Sequence, residues 1–273
     1  MAQASLPVQP DIIYIVIDFD AIDIAGPHDA RTIVFLHAAS YTRKMWLPQM
    51  RSLSDEFRVV AIDMRGHGAR SREPFDFEGC VDDVEMIVEK LGLGPVMFVG
   101  SSLGGCIAME LAQRTPRHVV GMMIAGSSFD PTTLLCKMVL TGESVVFPRA
   151  ESRLIRHFQD YVRGTMHASI AEEIVDAGCH WRSAAVAVAQ MRGRDFVGAM
   201  KSFDGPVMIV NGERDWPHRF YERRFLASGQ KATLAVIQGA NHICSLDAPE
   251  EFTTLVRLFA DQCAFPELAV ESE

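Results

Sequence analysis

The sequence predicts a parallel, doubly wound α/β sheet interrupted by an all-helical insertion. Three observations carry this. Short, near-continuous apolar runs alternate with segments of helical spacing. Such runs suit strands buried on both faces, and most of them lead into a glycine-bearing loop. The stretch from Phe129 to Phe203, by contrast, holds no convincing strand.

Taken in order, Ile12 to Phe19 is a β-rich run that Ala21 to Ala25 continues. Asp18, Asp20 and Asp23 punctuate it, as suits a hairpin at a sheet edge. Gly26-Pro27-His28-Asp29 is a turn. Thr32 to His37 is a buried strand, and Ala38 to Lys44 is a loop. Met45, Trp46, Met50 and Leu53 recur at helical spacing. Phe57 to Asp63 is a second buried strand, running into the loop Met64 to Ser71. Cys80 to Leu91 is helical, with Val84, Ile87, Val88 and Leu91 on one face. Val96 to Val99 is a strand, and a helix follows until Thr115-Pro116 stops it. Val119 to Ala125, Pro206 to Val210 and Ala232 to Ile237 are further strands. Pro249 to Cys263 closes the chain as a helix with Phe252, Leu255, Val256 and Phe259 inward. Within the insertion, Glu151 to Met166 and Ile170 to Ala177 read as helices. Arg182 to Met200 is alanine- and valine-rich, interrupted at Gly193 and Gly198. The acidic end, Ala269 to Glu273, reads as frayed.

The 273 residues are 48% hydrophobic and 22% charged, enough for one large core. A net charge of −9 without a Lys/Arg cluster argues against nucleic acid as a partner. The six cysteines are scattered with no C-x-x-C pair, which fits buried free thiols in a reducing compartment. Met1 to Pro10 is polar, with no basic start and apolar core, so no signal peptide is expected. No run reaches the roughly 18 apolar residues of a membrane span. The expectation is a cytoplasmic protein with no membrane partner, compatible with a homodimer.

Chemistry enters at Gly100-Ser101-Ser102-Leu103-Gly104, a G-x-S-x-G between a strand and a helix. Gly100 and Gly104 allow strand and helix to approach closely around a strained tip, Ser102. The hydroxyl would stand at a helix start, where free N–H groups favour negative charge. A serine hydroxyl needs a base, and the base needs an orienting acid. Downstream, Asn211-Gly212-Glu213-Arg214-Asp215 and Gln238-Gly239-Ala240-Asn241-His242 each follow a strand. All three groups therefore fall at the carboxyl edge of the sheet, where such folds bind ligands. The expected roles are nucleophile for Ser102, base for His242 and orienting carboxylate for Asp215, with Glu213 and Asp130 as alternative acids. His157, His167, His180 and His218 stand in no partner pattern and read as surface or cap histidines. There is no H-E-x-x-H and no His/Asp pair at ligand spacing, so no metal is expected. Gly66-His67-Gly68 and Gly104-Gly105 make neither a dinucleotide fingerprint nor a P-loop, so no nucleotide cofactor is expected.

These motifs resemble the α/β-hydrolase superfamily, nearest the small lid-bearing serine esterases and lactonases of the 3-oxoadipate enol-lactonase group. The resemblance covers residues 25 to 128 and 190 to 262. It rests on Ala25-Gly26-Pro27, His37, Trp46, Asp63 to Ser71, Gly100 to Gly105, Gly212 to Asp215 and Gly239 to His242. It implies a hydrolase core at residues 1–128 and 204–273, with residues 129–203 as a helical cap. It also implies an oxyanion hole from the N–H groups of Leu103 and Ala39, while His37 and His67 support loops. Relatives often have His-Gly where this chain has His37-Ala38, and a positive φ at Ala38 would be costly. Ser40 and Tyr41 could add hydroxyl contacts to substrate.

The insertion would roof the pocket. Its residues, among them Phe129, Leu134, Leu135, Met138, Val139, Phe158 and Trp181, make it apolar, as suits an acyl or alkyl substrate. Arg149, Arg153, Arg156 and Arg163 read as a solvated helix face. The expected activity is hydrolysis of a small-molecule ester or lactone through an acyl-enzyme. The same triad could serve carbon–carbon bond hydrolysis, a lyase step or cofactor-free perhydrolysis, and a non-catalytic receptor is the remaining alternative.

Overall fold

A computed structural model describes residues 19–265. Seven strands form one sheet: β1 (Ile22–Ala25), β2 (Thr32–Leu36), β3 (Arg58–Ile62), β4 (Val96–Ser101), β5 (Val119–Ala125), β6 (Pro206–Gly212) and β7 (Lys231–Ile237). Their order is β1-β3-β2-β4-β5-β6-β7, and every pairing is parallel except β1 with β3. This is the doubly wound sheet expected from the alternating pattern, with the order reversing around β2 and β4.

Burial on both faces explains why the strands read as continuous apolar runs. In β2, Ile33 and Phe35 face one core layer while Val34 and Leu36 face the other, and all four are fully buried. Each such side chain contributes roughly 1.5–3 kcal/mol. One layer is covered by α1 (Leu47–Leu53) and α11 (Pro249–Ala260), the other by α2 (Phe77–Lys90) and α3 (Leu103–Arg114). The edge expectation holds for β1, which lies antiparallel to β3; Lys44 Nζ donates to Asp23 at 2.7 Å beside it. Phe19 belongs to a short 3-10 turn, and the rest of the expected first strand, 12–18, lies outside the described residues, as do Met1 to Pro10 and the acidic end. Helix α2 starts earlier than its apolar face suggested because Asp76 caps it, accepting from Gly79 N at 2.8 Å.

Between β5 and β6 the chain is all helical, as expected: α4 (Leu134–Thr165), α5 (Ala168–Asp176), α6 (Trp181–Met191) and α7 (Phe196–Ser202). The sequence pattern placed the start of α4 at Glu151, yet the helix begins at Leu134, where Thr133 caps it. Two features hid its first half. Pro148 lies inside it, and Leu134, Leu135, Met138, Val139, Val145 and Val146 are exposed, so apolar side chains stand on the outer face as well as at the buried Cys136 and Leu140 and blur the contrast between faces. Next to the proline, the Arg149 side chain donates to the Val145 carbonyl at 2.7 Å. Three short helices were not foreseen: α8 (Trp216–Arg219), α9 (Glu222–Ser228) and α10 (Cys244–Asp247). The cysteines are free, and Cys80, Cys106, Cys136 and Cys244 are buried. Among the described residues, no helix is long and apolar enough to cross a membrane.

Candidate active site

Ser102 forms the turn between β4 and α3, with φ 50° and ψ −110°. Among the described residues it is the one non-glycine residue at positive φ. Such a conformation costs about 1–3 kcal/mol and persists where the surroundings over-determine it. Here they do. Ser102 N donates to the Ala125 carbonyl at 2.7 Å, while the Ser102 carbonyl accepts from Ser127 Oγ at 2.9 Å and from Gly105 N at 3.1 Å. Gly104 has to be glycine because a Cβ there would run into the Leu36 carbonyl. That close approach sets the start of α3 against the end of β2, three residues before Ala39.

Neither the Leu103 N–H nor the Ala39 N–H donates to another described residue, and no described residue pairs with the Ser102 hydroxyl. Ala38 needs no positive φ, so replacing the usual glycine costs nothing in the backbone. The loop is held from behind. His67 Nε2 faces the Ala39 carbonyl at 2.5 Å, and His37 Nε2 accepts from Met64 N at 3.0 Å. His180, read as an ordinary cap histidine, accepts from Gly68 N at 3.0 Å and packs edge-on against His67. Asp63, fully buried, accepts from Arg43 N at 2.7 Å and Ala69 N at 2.9 Å.

Asp215 follows β6 and is buried; His242 follows β7 and is half-buried. The two loops are tied together, Arg214 N donating to the Ala240 carbonyl at 2.9 Å and Gly239 N to Glu213 Oε2 at 2.9 Å. His242 Nδ1 donates to Asp215 Oδ2 at 2.9 Å. The imidazole lies against Gly126, whose φ of +57° turns the chain just after the residue that holds Ser102 N. Burial alone would push the Asp215 carboxyl up. Hydrogen bonds from His218 and His242 outweigh it and hold the group well below the usual carboxylate range.

The alternative acids are occupied elsewhere. Asp130 pairs with Arg224 at 2.6 Å and accepts from Thr132, and Glu213 accepts from Gly239 N. Among the expected substrate contacts, Ser40 and Tyr41 are buried, and Tyr41 packs edge-on against Phe158 of α4. Trp181 packs edge-on against Phe147. Phe129 lies edge-on against His218, ring centroids 5.5 Å apart.

His218 corrects the sequence reading. It is neither surface nor cap: its Nδ1 donates to Asp215 Oδ1 at 2.8 Å and its ring stacks on His242. Asp215 and His218 also stand at i, i+3, a His/Asp pair at close spacing, contrary to the expectation that the chain has none. Asp215, His218 and His242 bring one donor atom each within 4.8 Å of one another. Here they are joined by N–H···O bonds, so the two Nδ1 atoms carry protons rather than free lone pairs.

A model of the alpha/beta hydrolase family matches residues 33–255. The chain belongs to the alpha/beta hydrolase family. It is 25% identical to the carboxylesterase YbfK of Bacillus subtilis over 89% of this chain and 86% of that one. It is 23% identical to 3-oxoadipate enol-lactonase 1 of Acinetobacter baylyi, over 85% and 89% of the two chains. In fold it is similar to a thermophilic esterase from Thermogutta terrifontis, TM-score 0.72 at 20% identity, over 88% and 92% of the chains. The expected fold class and resemblance therefore hold, and this alpha/beta hydrolase is an enzyme of the hydrolase class. Besides His218, the sequence pattern gives no sign of Asp247, while Tyr161 reads only as one of the apolar cap residues. Asp247 accepts from Asn241 N at 2.6 Å and from Tyr161 Oη at 2.7 Å, linking the His242 loop to α4.

Proposed function

We propose that this alpha/beta hydrolase cleaves a carboxylic ester or lactone through an acyl-enzyme on Ser102. The observation that supports this most directly is the Asp215–His242 hydrogen bond, made on the same sheet edge as the strained, unpartnered Ser102. Because His242 Nδ1 carries the proton given to Asp215, its Nε2 is the basic nitrogen. Nε2 takes the Ser102 proton as Oγ attacks the carbonyl carbon. The oxyanion forms where the free N–H groups of Leu103 and Ala39 stand ready, at the positive end of α3. His242 then returns the proton to the leaving alkoxide, and water repeats the sequence to release the acid.

In this reading residues 129–203 serve as the cap over the core that residues 19–128 and 204–265 form, with Phe129, Trp181, Tyr41 and Ser40 at the substrate. The buried aromatic groups favour an apolar acyl or alkyl portion. The test is pre-steady-state hydrolysis of a short-chain p-nitrophenyl ester. A product burst that disappears in Ser102→Ala is the expected result, with phosphonate labelling confined to Ser102. Unchanged turnover in Ser102→Ala overturns the reading.

A further inference from the structure

The buried Asp215 carboxylate has two oxygens and two imidazole donors. Oδ2 takes His242 Nδ1 at 2.9 Å and Oδ1 takes His218 Nδ1 at 2.8 Å. The two rings stack, with centroids 4.5 Å apart and planes 25° apart. His218 is itself fixed on two further sides. Phe129 meets its ring edge-on at 5.5 Å, and Ser128 Oγ, itself held by Asn211 Nδ2 at 3.0 Å, donates to its carbonyl at 3.0 Å. This is more support than a surface histidine needs.

We propose that His218 is a positioning residue for hydrolysis: it pins the second oxygen of Asp215 and backs the His242 ring, fixing the plane in which Nε2 meets Ser102. The proposal rests on the Ser102–His242–Asp215 reading. A carboxylate held by one imidazole can turn about its Cβ–Cγ bond and take the base with it; held at both oxygens, it cannot. Misplacement of a base by a fraction of an ångström to 1 Å is enough to slow chemistry markedly. His218 acts on electronics as well. Its N–H draws on the charge of Asp215, so the carboxylate stabilises the His242 imidazolium less than a singly bonded one would. Burial and the neighbouring His242 keep His218 itself neutral, against the pull of Asp215. Other titratable groups facing the pair are Glu143 of α4, toward His242, and the Cys244 thiol, toward Asp215. Burial raises both above their ordinary values, and the Cys244 thiol, pushed up to about 12, is uncharged near neutral pH.

The experiment compares two variants on the p-nitrophenyl ester. His218→Phe keeps the stacked ring and removes the donor; His218→Asn keeps a donor at the Nδ1 position and removes the ring. We expect His218→Phe to lose about tenfold or more in kcat with little change in KM. The acid limb of its kcat/KM profile should move to higher pH by about half a unit or more, because Asp215 regains its full charge. His218→Asn should keep the wild-type limb. Histidine-selective ¹⁵N NMR of the wild-type enzyme should show His218 protonated at Nδ1 and bare at Nε2. A His218→Phe enzyme with wild-type kcat and limb, or a wild-type His218 protonated at Nε2 alone, overturns the proposal. Failure of the underlying triad is separate: it would appear as activity surviving in His242→Ala, whatever His218 does.

Discussion

The Tyr161 hydroxyl of α4 donates to Asp247 Oδ1 at 2.7 Å, and Asp247 Oδ2 accepts the N–H of Asn241, next to His242. One carboxylate thus joins the helical insertion to the loop bearing the proposed base. Burial and the bond to Asp247 push the Tyr161 phenol well above its usual range, so it remains a donor throughout the working pH range. Tyr161→Phe should lower kcat/KM by roughly three- to tenfold, as expected for one lost charge-assisted bond in a positioning chain. Asp247→Ala, which frees both ends, should cost more. Steady-state kinetics of the two variants, with melting curves to exclude unfolding, checks the ordering; equal and wild-type rates would sever the link.

Ser102 pays in backbone strain for its place at the turn. Ser102→Ala deletes the hydroxyl but keeps a Cβ at φ 50°, whereas Ser102→Gly deletes both. Both variants should be inactive. Ser102→Gly should be the more stable of the two by about 1 kcal/mol, less whatever glycine loses through its freer unfolded chain. Denaturant midpoints measured side by side decide it, and a glycine variant clearly weaker than the alanine variant would remove strain as the explanation.

The residues around Ser102 were legible because their signal is local: a strand, two glycines around a serine, and a helix, all within one short stretch. Asp215 and His242 were legible because each directly follows an apolar strand, so the parallel sheet carries both to one edge. His218 was not, because its role depends on how α8, only four residues long, is laid against the loop after β7. The Asp-x-x-His spacing from Asp215 was the one available hint. The same holds for the contact of Tyr161 with Asp247, made only through tertiary packing, and for the first half of α4, most of whose apolar residues face outward.

Asp215→Asn tests how far the carboxylate's symmetry matters. Asp215 accepts from two imidazole N–H groups, one on each oxygen. Asparagine offers one carbonyl and one NH₂, so one histidine must shift its proton to Nε2 or lose its bond. If that histidine is His242, its Nε2 is no longer free to take the Ser102 proton. The expected fall in kcat is about 10³- to 10⁴-fold, as for a triad whose base is held in the wrong tautomer. Burst kinetics would locate the loss in acylation. A loss under tenfold would mean that His242 is oriented chiefly by its stack on His218 and its contact with Gly126.

The buried histidines behind the proposed oxyanion loop should make the protein acid-sensitive. Burial lowers His67 to about 4, against the pull of the Ala39 and Arg65 carbonyls that face its two nitrogens. In the unfolded chain the same imidazole titrates near 6.5. Between those values the unfolded state binds a proton that the folded state refuses, so stability falls as pH falls through the window. For His67 alone the loss reaches about 3 kcal/mol by the lower end. His37 and His218, also lowered chiefly by burial, add in the same direction. Asp215 works in the opposite sense to an acid-raised carboxyl: its contribution is intact above the unfolded carboxylate value near 3.9 and is lost only below it. Urea unfolding at pH 7.0 and pH 4.5 should therefore show a drop of several kcal/mol, and His67→Gln should narrow it. A wild-type stability that is flat across this interval would mean that His67 takes up its proton in the fold, with both nitrogens donating to the carbonyls that flank it.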